Sequence, residues 1–130
     1  MDVEVYQPRG VHRIRLQDQS RIKARLLDWA EEYEVRFASL QVIGQLRFAD
    51  VVSGYRKNRP DAKKISREFT SNRHLLASGT LINETETQEV HLHGALGRGQ
   101  RSVVGCLAGD PEAFRGVEIL ATVLERNDMS

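Results

Sequence analysis

The stretch Glu89-Val90-His91-Leu92-His93-Gly94-Ala95-Leu96-Gly97-Arg98-Gly99-Gln100-Arg101-Ser102-Val103-Val104-Gly105-Cys106-Leu107 decides how this chain folds. Two β-type runs, Glu89 to Leu96 and Ser102 to Leu107, are divided by a polar turn containing glycine, which is the pattern of a hairpin. Gly99-Gln100 suits a two-residue turn that begins with glycine, and that turn sets Arg98 opposite Arg101. Continuing the same register sets His93 opposite Cys106. Residues two apart on a strand share a face, so His91 and His93 stand side by side while Leu92 turns away. A slip of one residue would send Cys106 to the other face.

Outward from the hairpin, the second half of the chain reads as a succession of strands. Ile65 to Thr70, Leu75 to Ile82 and Val117 to Glu125 join the two already described, and no helix of normal length fits among them. In the first half, Val11 to Leu16 alternates apolar and polar residues with the period of a half-buried strand. The period then changes. Ile22, Leu26, Trp29, Ala30 and Tyr33 recur three or four apart, with Arg21, Lys23, Arg25, Glu31 and Glu32 on the other side. This predicts an amphipathic helix from about Ser20 to Glu34, capped by Asp18 or Ser20, with Trp29 as a core anchor. Two further strand runs follow, Arg36 to Ile43 and Leu46 to Tyr55, with Gly44 between them as a bulge or a close backbone contact. The expectation is an α+β fold, an antiparallel sheet of about seven strands with one main helix covering a sheet face.

Composition narrows the class. With 130 residues, 40% of them hydrophobic, the chain suffices for one core and falls short of two ordinary domains. The expected domain spans 9–126, with loose termini at 1–8 and 127–130. Nineteen basic residues nearly cancel eighteen acidic ones, so no global field selects nucleic acid, membrane or acidic substrate, and any such binding needs a local patch. No apolar run has the length of a membrane span and the N-terminus lacks the pattern of a signal peptide, so a cytoplasmic location is expected. The lone Cys106 has no internal disulfide partner. It is a buried small hydrophobe, a reactive thiol or a metal ligand.

Ligand chemistry concentrates on the hairpin. Two imidazoles and a thiolate on one face are suitable donors for zinc, and three protein ligands with a fourth position open to water characterise catalytic or ligand-binding zinc sites. His91, His93 and Cys106 are therefore the candidate metal ligands. The competing reading is a pair of strand histidines in a polar interface. Glu118, on the last strand, is a candidate carboxylate for orienting a metal-bound histidine or for acting as a base. His12 and His74 read as surface or structural histidines. No nucleophile elbow, phosphate loop or dinucleotide fingerprint occurs, so no pattern names a reaction. The one concentrated basic stretch is Arg56, Lys57 and Arg59 with Lys63 and Lys64 beside them, a candidate nucleic-acid contact or a solvated hairpin loop.

The ordered series Val11 to Leu16, Val35-Arg36-Phe37-Ala38-Ser39, Val42-Ile43-Gly44-Gln45-Leu46, Leu75-Leu76-Ala77-Ser78-Gly79-Thr80, Val90-His91-Leu92-His93-Gly94, Val104-Gly105-Cys106-Leu107 and Val117-Glu118-Ile119-Leu120 resembles the plant and prokaryote conserved (PPC) domain. The resemblance spans nearly the whole chain. It implies a compact antiparallel sheet with one main helix and subunits that associate as a homotrimer. In similar bacterial members the His-x-His strand is followed by a Gly-Gly-His-Leu segment, and the three histidines hold a metal. Here Cys106 stands where the third histidine is expected, so the resemblance implies a His₂Cys site for zinc or another divalent metal, or for a small ligand, or else a site that has lost its metal. The family is also described as DNA-binding, and its plant members carry AT-hooks. Arg59-Pro60 lacks the Gly-Arg-Pro core of an AT-hook.

Overall fold

Alternation of apolar and polar residues marks most of the six strands, and the one stretch with helical spacing produces a helix. The computed structural model describes residues 1–127. The elements run in the order β1 (Tyr6–Gln17), α1 (Ile22–Glu32), β2 (Phe37–Tyr55), β3 (Lys64–Phe69), β4 (Arg73–Asn83), β5 (Gln88–Arg98) and β6 (Arg101–Arg126). All pairings are antiparallel, in the order β1-β6-β5-β4-β2-β3, and β2 also pairs with β6. Strands β2, β4, β5 and β6 thus form a closed circuit. The length of β6 makes this possible: its first residues pair with β5, and its later ones lie between β1 and β2.

The strand count is six rather than about seven, because the runs on either side of Gly44 join as β2, and the runs Ser102 to Leu107 and Val117 to Glu125 join as β6. Gly44, at φ 152°, continues β2 through a register shift toward β6. A Cβ there would lie 2.6 Å from the Gly116 carbonyl oxygen and 2.8 Å from Val117 Cα, so only glycine lets the two backbones approach this closely. In β6, Gly109 and Arg115 have φ of 60° and 67°, and the strand continues past both. Bulges raise local twist, which is how long strands serve two parts of one curved sheet.

Inward-facing residues of the circuit make the core. Ala38, Leu40 and Val42 of β2 pack with Leu75, Ala77 and Leu81 of β4, Val90, Leu92 and Leu96 of β5, and Val117, Ile119 and Ala121 of β6. Ile22, Leu26, Trp29 and Ala30 of α1 close the same cluster. Each fully buried leucine contributes about 1.5–3 kcal/mol through removal of its surface from water.

The helix starts at Ile22, and neither expected cap, Asp18 or Ser20, supplies a side-chain bond to its N-terminus. Arg21 occupies the N-cap position without a side-chain bond. The carboxylate of Asp110, on β6, accepts from the Lys23 and Ala24 amides at 2.7 and 3.2 Å. Asp18 instead accepts from the Arg115 amide at 2.7 Å and from Arg47 at 2.8 Å. At the N-terminus, Tyr6, Gln7 and Pro8 pair with Arg126, Glu125 and Leu124, and the Tyr6 ring stacks on Phe37 at 4.8 Å. Of the expected loose C-terminal tail, residues 128–130 lie outside the described residues.

Candidate functional site on the outward sheet face

The pleat that buries Leu92 turns His91 and His93 outward, and both are exposed. Their cross-strand partners follow from the register. His93 faces Ser78 on β4 and Cys106 on β6, and His91 faces Thr80. Gly99 has φ 61°, as a turn beginning with glycine requires, and Arg98 pairs with Arg101. The hairpin register is therefore the one the turn predicts.

Two rows of outward side chains cross the sheet. One runs Arg15, Glu118, Ile43, Leu76, Ala95, Val104, and its neighbour runs Arg13, Leu120, Gln41, Ser78, His93, Cys106. The middle of this face is apolar and exposed: Leu76 and Val104 are 66% accessible, Ile43 52% and Leu120 40%. A shallow depression over Gln41, Ile43, Leu76, Ser78, His93 and Val104 joins the apolar row to the histidine row.

The candidate ligands are only partly gathered. His93 and Cys106 are direct partners, and His91 is two residues along the same face, where its Nε2 contacts the Glu89 carboxylate. Among the described residues, no three His, Cys, Asp or Glu side chains converge closely enough to hold a metal ion. The donor types suit zinc, but the geometry of one chain does not complete a site. Glu118 is not brought to the histidines. It lies on the far side of β2 and β4 from β5 in the cross-strand row, and both its oxygens accept from Arg13 at 3.1 Å. That guanidinium holds the Glu118 carboxyl below the usual range. The carboxylate beside His91 is Glu89, and its spacing of two on one strand was the available signal.

Lys23 is a second residue that the sequence pattern misplaces. Helical spacing assigns it to the solvent side, yet its side chain is half-buried and its Nζ donates to the Leu107 carbonyl at 2.6 Å. Burial lowers its pKa, opposed by Cys106 and Asp110 nearby. An ammonium group therefore stands at the Cys106 end of the site. Nothing in the local sequence signals it, because the contact depends on where α1 meets β6.

The basic stretch forms the loop between β2 and β3 and ends at Lys64, the first residue of β3. Its neck is closed by the Arg56 amide donating to the Lys63 carbonyl, and Arg59 pairs with Asp61 at 3.1 Å. Arg56, Lys57, Arg59, Lys63 and Lys64 are all exposed, well away in sequence from the histidine strand.

A family model described as the Plants and Prokaryotes Conserved (PCC) domain matches residues 4–125. The chain belongs to this family. Solved structures with the PCC fold include a metal-containing protein from Archaeoglobus fulgidus, at TM-score 0.84 and 20% identity, covering 98% of this chain and 88% of that one. A plant- and prokaryote-conserved protein from Pyrococcus horikoshii matches at TM-score 0.80 and 17% identity, covering 96% and 85%. A protein from Ralstonia eutropha JMP134, named as a candidate DNA-binding protein, matches at TM-score 0.71 and 18% identity, covering 85% and 76%. These likenesses establish the shared PCC fold. No curated protein matches the sequence. No helix among the described residues is long and apolar enough to cross a membrane.

Proposed function

We propose that this PCC protein works in the cytoplasm as a homotrimer joined through its outward sheet face, with His91, His93 and Cys106 forming a metal or small-ligand pocket at or beside the subunit contact. The observation that carries the reading is the apolar row in which Ile43, Leu76 and Val104 are exposed and Ala95 partly so, lying directly beside His93 and Cys106. A contiguous apolar patch on an otherwise charged surface marks an interaction site. Burying it in a self-contact also explains why the ligands of one chain stop short of a closed set, since an interface places further donors against the same face. The metal-containing relative from Archaeoglobus fulgidus adds support. A bound zinc ion would polarise a ligand oxygen, while His93 and Cys106 hold the ion and the apolar row excludes water.

The test combines mass and metal content. Light scattering should give three chains for the parent and one for Leu76→Glu. Metal analysis after zinc addition and dialysis should show zinc that His93→Ala and Cys106→Ala lose. A monomeric parent, or a parent without zinc, overturns the corresponding half of the reading.

A second reading, DNA binding, is favoured by the five exposed basic residues in and beside the β2–β3 loop and by the name given to the Ralstonia relative. A trimer would present that loop three times. Duplex binding at low salt that falls steeply with added salt, and that is lost when Arg56, Lys57 and Arg59 are neutralised together, would support it. No duplex binding at low salt would overturn it.

A further inference from the structure

At one end of the closed sheet, facing away from the histidines, four arginines meet. Arg98 pairs with Arg101 across the β5–β6 hairpin, and Arg73 lies one step beyond the His74–Gly97 pair, next to Arg98. Arg67 of β3 joins them over a shared aromatic ring: the Arg73 guanidinium is 4.2 Å and that of Arg67 5.0 Å from the Phe69 ring centroid. Among the described residues, none of the four is in an ion pair.

Like charges placed opposite one another on neighbouring strands destabilise a sheet. Among the described residues, no carboxylate pairs with them. Burial and the charges of Arg98 and Arg67 all lower the Arg73 pKa, and no carboxylate acts the other way. The Arg73 Nε is buried without a hydrogen-bond partner. Phe69 meanwhile holds two of the guanidinium planes by cation–π contact, which reduces the entropy lost when their N–H edges engage a ligand.

We propose that Arg67, Arg73 and Arg98 form a binding site for an oxyanion of the phosphate class, carried by free phosphate, a phosphate ester or a nucleic-acid backbone. A tetrahedral oxyanion neutralises the converging charges and accepts from guanidinium edges in the bidentate manner that arginine favours. Arg101, at the hairpin end, widens the site. The inference is independent of the trimer and of the metal. Should the anion prove to be a nucleic acid, the contact surface differs from the β2–β3 loop.

The experiment compares thermal unfolding in low-millimolar inorganic phosphate and in chloride at equal ionic strength, for the parent and for Arg73→Gln and Arg98→Gln. The expected result is a rise of a few degrees with phosphate in the parent and none in either variant. In phosphate-free buffer, Arg98→Gln should be at least as stable as the parent, because a like-charge contact is removed. If Arg73→Gln fails to fold, Arg98→Gln decides alone, since its side chain is exposed. No phosphate-specific rise in the parent overturns the site, and so does an equal rise in the variants, which general salt exclusion would produce. Labelled duplex and single-stranded DNA form the second arm. Binding that Arg98→Gln loses assigns the site to a phosphodiester backbone; a phosphate response without DNA binding assigns it to free phosphate or a phosphate ester.

Discussion

His93 and Cys106 face each other across β5 and β6 on the outward side of the sheet, with the Lys23 ammonium bonded to the next carbonyl along β6. Direct cross-strand partners have Cβ atoms about 4.5–5.5 Å apart, which is within reach of one shared ion. Zinc held by both should shield the thiol. Zinc is therefore expected to slow alkylation of Cys106 in the parent, and His93→Ala should weaken the zinc affinity by about 10- to 100-fold or more, by comparison with losses seen on removing even supporting groups. Mass spectrometry of the alkylated protein across a zinc series measures both.

Asp110 caps a helix from a strand 87 residues away in sequence. Asp110→Ala leaves two amides at the start of α1 without their acceptor. The expected cost is about 1 kcal/mol, as for other lost N-terminal caps. In a chain of this size that lowers the unfolding midpoint by about 3–5 °C, which calorimetry would resolve.

Gly44→Ala tests the bend in β2. The added methyl meets Gly116 and Val117 backbone atoms, and the φ of 152° is one that L side chains rarely adopt. The substitution should destabilise by about 1–3 kcal/mol, as overpacking does, and urea denaturation would measure it. A stability within error of the parent would show that β2 and β6 are not in this close contact.

Acid should erode two ion pairs. The Arg115 amide and then Arg47 lower the Asp18 pKa, and Arg13 lowers that of Glu118. A depressed folded pKa means stability that is fully present above the unfolded value and is lost as pH falls through the folded one. The loss thus begins below about pH 4, near the ordinary carboxylate values. Urea midpoints of the parent and Asp18→Asn should differ by a constant amount near neutrality, and the gap should narrow as pH drops below 4. A gap that widens toward acid would contradict the assignment.

Much of this could be read along the chain because it is local. Alternation marked the strands, a spacing of three and four marked α1 with Trp29 on its buried side, and Gly99-Gln100 defined the register that pairs His93 with Cys106. The family resemblance was legible for the same reason, since it rests on short segments in fixed order. Gly44 was legible as a bulge or close backbone contact, and it is one, while the bend of β6 at Gly109 carried no such signal.

What only the tertiary structure decided are contacts between elements distant in sequence. Asp110 caps α1, Lys23 reaches Leu107, Arg13 engages Glu118, which the sheet order separates from the histidines, and Arg67 and Arg73 share Phe69. The histidine pair on its strand, and the hairpin that brings Cys106 opposite, belong to the sequence, because a period of two and a two-residue turn leave one register that buries the apolar face. Whether those donors converge depends on how the sheet closes and on what covers it, and closure is set by packing among all the strands at once.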